Sequence, residues 1–322
     1  MPAFGERSTD DVMHLKISGT APKTRWCPVT APYSTPSAVF RAAPDCISMH
    51  SGFQTTKAMY SHGSHESAFN VHKLRTVANS AAYLVPHLKP GMKILDVGCG
   101  PGSITVDFAN YVPGGDITGL EYTPAILEQA RAHAAATGAA NVDFVQGDAH
   151  ALPFADATFD VVHAHQVLQH IGDPVLALRE MRRVAKPGGL VAARDSDWGA
   201  LTWFPDTPGL REWHALYARI ARGNGGEPEA GRRLKAWARE AGFDPKDVAC
   251  TAATWCFSAP EEREYWGGSW AERIVKSDLA KGAAREGASG EDLERMSQAW
   301  RAWVQEEDGW LAALHGEIIC RV

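Results

Sequence analysis

Several features are missing from this chain of 322 residues. No apolar run approaches the roughly 20 residues that a membrane-spanning helix needs, and no Asn/Asp-Pro-Pro-Tyr run, typical of enzymes that act on a flipped base, is present. Basic residues are not in excess: 32 Lys and Arg face 38 Asp and Glu, which disfavours nucleic-acid partners. The six cysteines form no C-x-x-C pair, and the N-terminus lacks a secretory pattern. We expect a cytoplasmic protein with free thiols and no membrane span.

The most informative segment is Ile-Leu-Asp-Val-Gly-Cys-Gly-Pro-Gly at residues 94–102, an apolar strand that runs into a glycine-rich turn. Gly98 and Gly100 let the backbone approach a ligand closely, and a helix beginning near Ser103 points unpaired amides at it. A second strand, residues 116–120, ends on Glu121. This βαβ unit predicts a site for a nucleotide-like cofactor.

The acidic residues of this unit indicate what kind of cofactor it takes. Glu121 lies 23 positions after Gly98 (121 − 98), where a dinucleotide-binding fold places the carboxylate that binds the ribose hydroxyls. Ser103, however, occupies the place of the third glycine in G-x-G-x-x-G. Asp96 adds a negative charge that repels a diphosphate and stabilises an ammonium or sulfonium. The site therefore favours a cationic ligand without phosphates over a nicotinamide dinucleotide.

The chain also resembles the class I S-adenosylmethionine-dependent methyltransferases, in particular the ubiquinone/menaquinone-biosynthesis branch. The resemblance covers roughly residues 75–200 and rests on five runs in order: Val-Gly-Cys-Gly-Pro-Gly at 97–102, Gly-Leu-Glu-Tyr-Thr at 119–123, Gln-Gly-Asp-Ala at 146–149, Pro-Phe-Ala-Asp-Ala-Thr-Phe-Asp at 153–160, and Arg-Val-Ala-Lys-Pro-Gly-Gly at 183–189.

Alternating strands and helices predict an α/β, doubly wound, mostly parallel sheet, and the resemblance implies seven strands in a Rossmann-like methyltransferase fold. We expect a flexible leader at residues 1–50, N-terminal lid helices at 51–90, an S-adenosylmethionine-binding core at 91–198, and an acceptor-binding insertion with a helical block and the last strands at 199–322. Within these, we expect a helix over 76–88, a strand over 190–194, a helical block from 260 to about 314, and a last strand at 317–322.

The resemblance also implies roles for individual residues. Asp96 is expected near the methionine ammonium and Glu121 on the ribose hydroxyls, although both could simply be surface carboxylates at strand ends. Tyr122 is expected to pack against the adenine. Cofactor contacts are also expected from the lid helices (Tyr60, Arg75), from the end of strand four (His165, Gln166), and from the turns after strands one and three (Gly98, Cys99, Gly100, Gly147, Asp148, Ala149).

His165 and Gln166 end strand four, where the family contacts the methionine moiety and sometimes the acceptor. His165 and His170 are the candidate catalytic bases; the alternatives are a histidine that caps the strand and one that bonds to its helix neighbours. From the lid helices, Tyr60, His65 and Arg75 are expected to face the site. His62 and His65 lie three residues apart, but no third ligand is evident nearby, so we expect no metal.

Ten of the eleven tryptophans follow residue 197. They either pack the helical block onto the sheet or line a pocket for an apolar or aromatic acceptor.

We therefore expect methyl transfer from S-adenosyl-L-methionine to a small, partly apolar or aromatic acceptor by in-line attack on the sulfonium methyl. A nicotinamide-dependent oxidoreductase and a non-catalytic S-adenosylmethionine-binding protein are the alternatives, and both a monomer and a homodimer stay open.

Overall fold

A computed structural model describes residues 75–322 of the protein. One mixed sheet runs through this part of the chain. Its strands are β1 (Lys93–Val97), β2 (Asp116–Glu121), β3 (Val142–Gln146), β4 (Phe159–His165), β5 (Ala185–Ser196), β6 (Thr202–Phe204), β7 (Val248–Phe257) and β8 (Trp310–Arg321).

Seven of these strands run in one direction, and β8 runs against them. Strands β3, β2, β1, β4 and β5 pair in that order and in parallel, and β8 then pairs with β5 in the antiparallel sense. β7 pairs with β8 along the edge opposite to β5. β6 pairs with the first residues of β8, on the same edge as β5 but beyond the end of that strand. The eight strands therefore fill seven positions, because β5 and β6 share one edge of β8. The prediction of a doubly wound, mostly parallel sheet is confirmed.

Helices cover both faces of the sheet. They are α1 (Val77–Ser80), α2 (Ser103–Asp107), α3 (Pro124–Thr137), α4 (Pro174–Val184), α5 (Pro208–Gly223), α6 (Ala230–Glu240), α7 (Pro260–Arg263), α8 (Ser269–Lys276), α9 (Asp278–Arg285) and α10 (Gly290–Gln305). Proline occupies the first turn of α3, α4, α5 and α7, where its missing N–H costs no hydrogen bond. None of the helices within residues 75–322 is both long and apolar enough to cross a membrane.

Three apolar clusters hold these layers together. Leu178 of α4 and Leu234 of α6 belong to the cluster on one face of the sheet, and Leu84 and Phe108 belong to the cluster on the other face. Because both faces are covered, β4 is buried along nearly its whole length, as expected of a strand inside a parallel sheet. The third cluster joins the helices between β6 and β8, and its members include the fully buried Trp300.

The structure corrects four predicted boundaries. The helix expected over residues 76–88 is one turn, Val77–Ser80, followed by a 3-10 turn, Val85–His87, in which Pro86 has no N–H to donate to an α-helix. The expected strand at 190–194 extends over Ala185–Ser196. The helical block ends at Gln305, and the last strand, expected at 317–322, begins at Trp310. The apolar run at 310–314 suits helix or strand, and pairing with β6 and β7 decides for strand.

Candidate active site

The predicted site lies at the edge where the parallel strands end. In register, Val97 of β1 pairs with Leu120 of β2 and with Ala164 of β4, and Glu121 of β2 pairs with Gln146 of β3. The turns that follow these four strands are therefore neighbours along one edge, which is where ligands bind in open α/β sheets.

The turn after β1 has a conformation that needs glycine. Gly98 and Gly100 have φ angles of +68° and +54°, in the left-handed region that glycine adopts without strain. A Cβ on Gly98 would lie 2.5 Å from Cγ2 of Val167, so any side chain there would displace the segment after β4. The Gly98 amide also donates to the Leu120 carbonyl oxygen over 2.7 Å, which fixes the turn against β2.

Glu121 closes this turn from the neighbouring strand. Its Oε2 atom accepts a hydrogen bond from the Gly100 amide at 3.2 Å, and its Oε1 atom accepts one from the Thr123 amide at 3.0 Å. A diphosphate would compete with this carboxylate for the loop amide and would be repelled by its charge. An adenosyl group with a positive sulfonium meets no such repulsion, so these residues fit S-adenosylmethionine. Tyr122, which is 49% exposed at the same edge, presents an aromatic ring beside the carboxylate.

The turn after β3 is tied to the same edge. The Gly147 amide donates to the Glu121 carbonyl oxygen over 3.1 Å, and a Cβ at Gly147 would lie 2.7 Å from Cδ1 of Leu120. Oδ1 of Asp148 accepts from the backbone amide of His150 at 2.9 Å and also contacts Nδ1 of that histidine at 2.8 Å. Ala149 packs against the core. Of the three residues predicted after β3, Gly147 is thus bonded to the Glu121 backbone, and Asp148 and Ala149 follow it in the same turn.

Asp96 is deeply buried, so it is not the exposed strand-end carboxylate of the alternative. Its Oδ1 atom accepts from Nδ1 of His163 on β4 at 2.8 Å, and its Oδ2 atom accepts from Oγ1 of Thr105 on α2 at 2.6 Å. These bonds connect the first strand with its neighbour and with the helix after the loop. Burial, together with the charges of Asp96 and Glu121, raises the pKa of the Cys99 thiol well above its ordinary value. Cys99 therefore stays protonated at neutral pH.

His165 ends β4 in a buried position. Neither ring nitrogen has a hydrogen-bond partner within the described part of the chain, and the ring centroid lies 5.7 Å from that of Trp255 and 6.4 Å from that of His315. Burial, and then the positive charges of Arg75 and Arg194, lower the pKa of His165 well below its ordinary value. The imidazole is neutral at neutral pH and is a weak base.

Gln166 follows with a φ angle of +54°, which is unusual for a residue other than glycine and marks a turn that its surroundings hold in place. Its amide N–H donates to the Arg194 carbonyl oxygen at 2.7 Å, and its side-chain oxygen accepts from the Arg75 guanidinium. The side-chain nitrogen lies 2.9 Å from Nε2 of His315. Arg75 is therefore brought to the end of β4.

His170 lies on the 3-10 turn Leu168–His170, which follows β4. Its Nε2 atom is hydrogen-bonded to the side-chain amide of Gln169 at 2.9 Å, as the neighbour-bonding alternative expected. Burial, and then Arg75 and Arg273, lower the pKa of His170 to about 3. Tyr60, His62 and His65 lie outside the described residues. Within residues 75–322, no group of three or more His, Cys, Asp or Glu side chains is arranged to hold a metal ion.

A cavity opens beside the ends of β4 and β5. Its empty volume is about 480 Å³, counting space open to solvent. Four tryptophans contribute to its wall: Trp198, Trp255, Trp266 and Trp270. The polar lining comprises Arg75, Gln166, Gln169, Ser196, Asp197, Arg273 and His315. Other tryptophans, including Trp213, Trp300 and Trp303, are fully buried in the cluster of the helical block. Trp198, Trp266 and Trp270 belong to this cluster as well, so they pack the helical block and line the cavity at once.

Several cavity residues were not predicted. Ser196 and Asp197 lie two and three residues beyond the expected strand at 190–194, and their position at a strand end is a signal that could have found them. His315 was missed because it lies between the helical block expected to about residue 314 and the strand expected at 317–322, whereas the strand in fact begins at Trp310. Arg273 lies on α8 with no motif around it, so only the packing of that helix brings it to the cavity.

Comparison with known proteins shows the family to which the chain belongs. A family model described as a methyltransferase domain matches residues 88–242. The chain is 34% identical to an uncharacterized methyltransferase of Schizosaccharomyces pombe over 274 residues, which is 82% of this chain and 97% of the relative. It is 33% identical over 173 residues to a demethylmenaquinone methyltransferase of Staphylococcus aureus, covering 53% of this chain and 67% of that protein.

Among solved structures, the YcgJ protein of Bacillus subtilis matches with a TM-score of 0.50 at 21% identity, over 74% of this chain and 96% of that one, which shows a shared fold. The fold is that of the Rossmann-like methyltransferases. The chain belongs to the methyltransferase family, and the prediction of an S-adenosylmethionine-dependent methyltransferase is confirmed.

Proposed function

We propose that the protein transfers a methyl group from S-adenosylmethionine to a small, partly apolar or aromatic acceptor that binds in the cavity beside β4 and β5. The observation that carries this proposal is the position of the cavity: Gln166, which directly follows the last residue of β4 at the cofactor edge, also lines the cavity wall. An acceptor bound there lies next to the cofactor edge, and the tryptophans of the wall offer flat apolar surface.

On this proposal, the turn residues Gly98 and Gly100 hold the cofactor through the backbone, and Glu121 binds the ribose hydroxyls. Tyr122 packs against the adenine, and Asp148 and its neighbours bind the adenine edge. The assignment is supported by the way these residues converge on one edge of the sheet. Asp96, held in place by its two hydrogen bonds, is the proposed neighbour of the methionine ammonium.

When bound, S-adenosylmethionine supplies a methyl group already activated by the positive sulfonium, so the chain needs mainly to align the acceptor and exclude water. The tryptophan wall provides both. His165 is the candidate to take a proton from an acceptor that must lose one, since it is neutral and buried at the end of β4. Its lowered pKa makes it a weak base, so alignment contributes more than proton removal. His170 is a weaker candidate, because its ring bonds to Gln169.

The proposal is tested by incubating the full chain with methyl-tritiated S-adenosylmethionine and panels of small aromatic compounds, small aliphatic compounds, and DNA or RNA. We expect label to enter aromatic small molecules. Label in nucleic acid alone would contradict the acceptor class.

Calorimetric titration with S-adenosylhomocysteine and with NAD separates the alternative functions. Tight binding of NAD supports an oxidoreductase. Binding of S-adenosylhomocysteine without any methyl transfer supports a non-catalytic protein.

A further inference from the structure

His163 is a polar residue at a position where β4 otherwise buries apolar side chains. It pairs with Asp96 in the register between β1 and β4, and its neighbours Val162 and Ala164 are fully buried, as it is itself. Within the described residues, the one hydrogen-bond partner of the ring is the Asp96 carboxylate, 2.8 Å from Nδ1, and Nε2 has none. An apolar side chain would fill this place without the cost of burying an unpaired nitrogen, so the presence of histidine is explained by its contact with Asp96.

The ring of His163 is held in one orientation. Its centroid lies 5.2 Å from that of Phe108 at an interplanar angle of 79°, which is an edge-to-face contact. Because an ionised carboxylate accepts hydrogen bonds and donates none, the Nδ1 atom that faces Asp96 carries a proton. The packing therefore keeps a hydrogen-bond donor directed at the Asp96 carboxylate.

The Asp96 carboxylate is thereby held through both of its oxygens. Oδ1 accepts the bond from His163, and Oδ2 accepts a bond from Oγ1 of Thr105 at 2.6 Å. An ionised carboxylate has about four lone-pair sites, so sites remain for a further donor. The torsion that turns a carboxylate is soft, and without such bonds the direction of the remaining lone pairs would not be fixed.

Resting on the proposed function, in which Asp96 is the neighbour of the methionine ammonium, we propose that His163 is a positioning residue for the cofactor. It fixes the plane of the Asp96 carboxylate so that the remaining lone pairs meet the ammonium. A charge-assisted hydrogen bond depends on its direction, and it is stronger where water is excluded. Loss of His163 should therefore weaken only the binding of ligands that carry the amino-acid end of the cofactor.

The test is calorimetric titration of the full chain with two probes. S-adenosylhomocysteine carries the ammonium, whereas 5′-methylthioadenosine has the same adenosyl thioether without the amino-acid end. For His163→Phe, we expect the affinity for S-adenosylhomocysteine to fall about tenfold and the affinity for 5′-methylthioadenosine to stay unchanged. Unchanged affinity for S-adenosylhomocysteine in the folded variant, or equal losses for both probes, would overturn the proposal.

Two polar variants keep the test decisive if His163→Phe does not fold, as judged by its melting temperature. The side-chain amide of asparagine places a donor near the position of Nδ1, and that of glutamine places it one carbon further out. We expect His163→Asn to bind S-adenosylhomocysteine within about threefold of the wild type and His163→Gln to bind it about tenfold more weakly. Equal affinities of these two variants would contradict the positioning role.

Val162→Ala is the matched control, because Val162 is the preceding residue of β4, is equally buried and faces the other side of the sheet. This variant should have a lower melting temperature and an unchanged ratio between the affinities for the two probes. A changed ratio would assign the effect to the strand as a whole and would overturn the proposal.

Asp96→Asn separates this proposal from the proposed function. If Asp96→Asn binds both probes in the wild-type ratio, the proposed role of Asp96 itself fails. If His163 acts through Asp96, the double variant Asp96→Asn/His163→Phe should bind S-adenosylhomocysteine as weakly as Asp96→Asn alone. Additive losses would overturn the positioning role of His163 and leave the role of Asp96 intact.

Discussion

Replacing Glu121 by alanine tests how the cofactor edge is built. The substitution removes a carboxylate that accepts hydrogen bonds from the Gly100 and Thr123 amides at 3.2 and 3.0 Å. On the proposed roles, it also removes the group that binds the ribose hydroxyls. Both losses fall on the same site, so the affinity for the cofactor should drop more than the stability of the fold.

The magnitude follows from the kind of bond that is lost. A hydrogen bond to a charged group contributes about 1.5–3 kcal/mol, and partial exposure of Glu121 reduces this, so we expect a loss of about 1–3 kcal/mol. This corresponds to a dissociation constant raised about 5- to 150-fold. Glu121→Gln, which keeps one accepting oxygen, should lie between the wild type and Glu121→Ala.

The assay is isothermal titration with S-adenosylhomocysteine, with the melting temperature of each variant measured alongside. Asp116→Ala is the matched control, because Asp116 lies at the opposite end of β2 and makes an exposed ion pair with Lys93 at 3.6 Å. The control should bind as the wild type does. If Glu121→Ala also binds with unchanged affinity while remaining folded, Glu121 has no part in the cofactor site and the reasoning is refuted.

Three further predictions concern buried groups. Burial raises the pKa of Asp195 to about 7, so the folded state holds a proton that the unfolded state releases near pH 4. The stability of the wild type should therefore fall, relative to Asp195→Asn, as the pH rises from about 4 to 7. Melting curves of the two proteins measured across that range test this, and a constant difference in melting temperature would contradict it. Asp197→Asn disrupts the ion pair with Arg232 and should cost about 1–3 kcal/mol in urea unfolding, while an unchanged midpoint would mean the pair contributes nothing. Under native conditions at pH 8, iodoacetamide should modify the exposed Cys250 before the buried Cys99 by mass spectrometry, and equal rates would contradict the raised pKa of Cys99.

The cofactor edge was predictable because its signals are local. A parallel strand that is buried on both faces appears in the sequence as a short apolar run, and a turn with left-handed backbone favours glycine. Residues 94–102 show both signals, so they could be recognised without any knowledge of distant parts of the chain. The same holds for Glu121, whose position at the end of the second strand follows from the length of one βαβ unit. The bonds that Glu121 makes to the loop were not predictable, since they depend on how the two strands align.

The acceptor cavity was predictable only in its composition. Ten tryptophans after residue 197 indicated aromatic packing, but nothing local separates Trp213, which does not line the cavity, from Trp266, which does, although both are buried in one cluster. That difference depends on the side from which each helix meets the sheet. The pairing of residues 310–314 as a strand was missed for a related reason, because an apolar run of that length suits helix or strand equally until its neighbours are known.

By itself, the sequence determined the class of fold, the βαβ unit and the residues at the ends of its strands, because hydrophobic periodicity and backbone sterics act over a few neighbouring residues. Only the tertiary structure decided that β8 enters between β5 and β7, and that Arg75 and Arg273, nearly 200 residues apart in the chain (273 − 75 = 198), line one cavity. Contacts between distant segments depend on the packing of whole layers, and no short stretch of sequence contains that information.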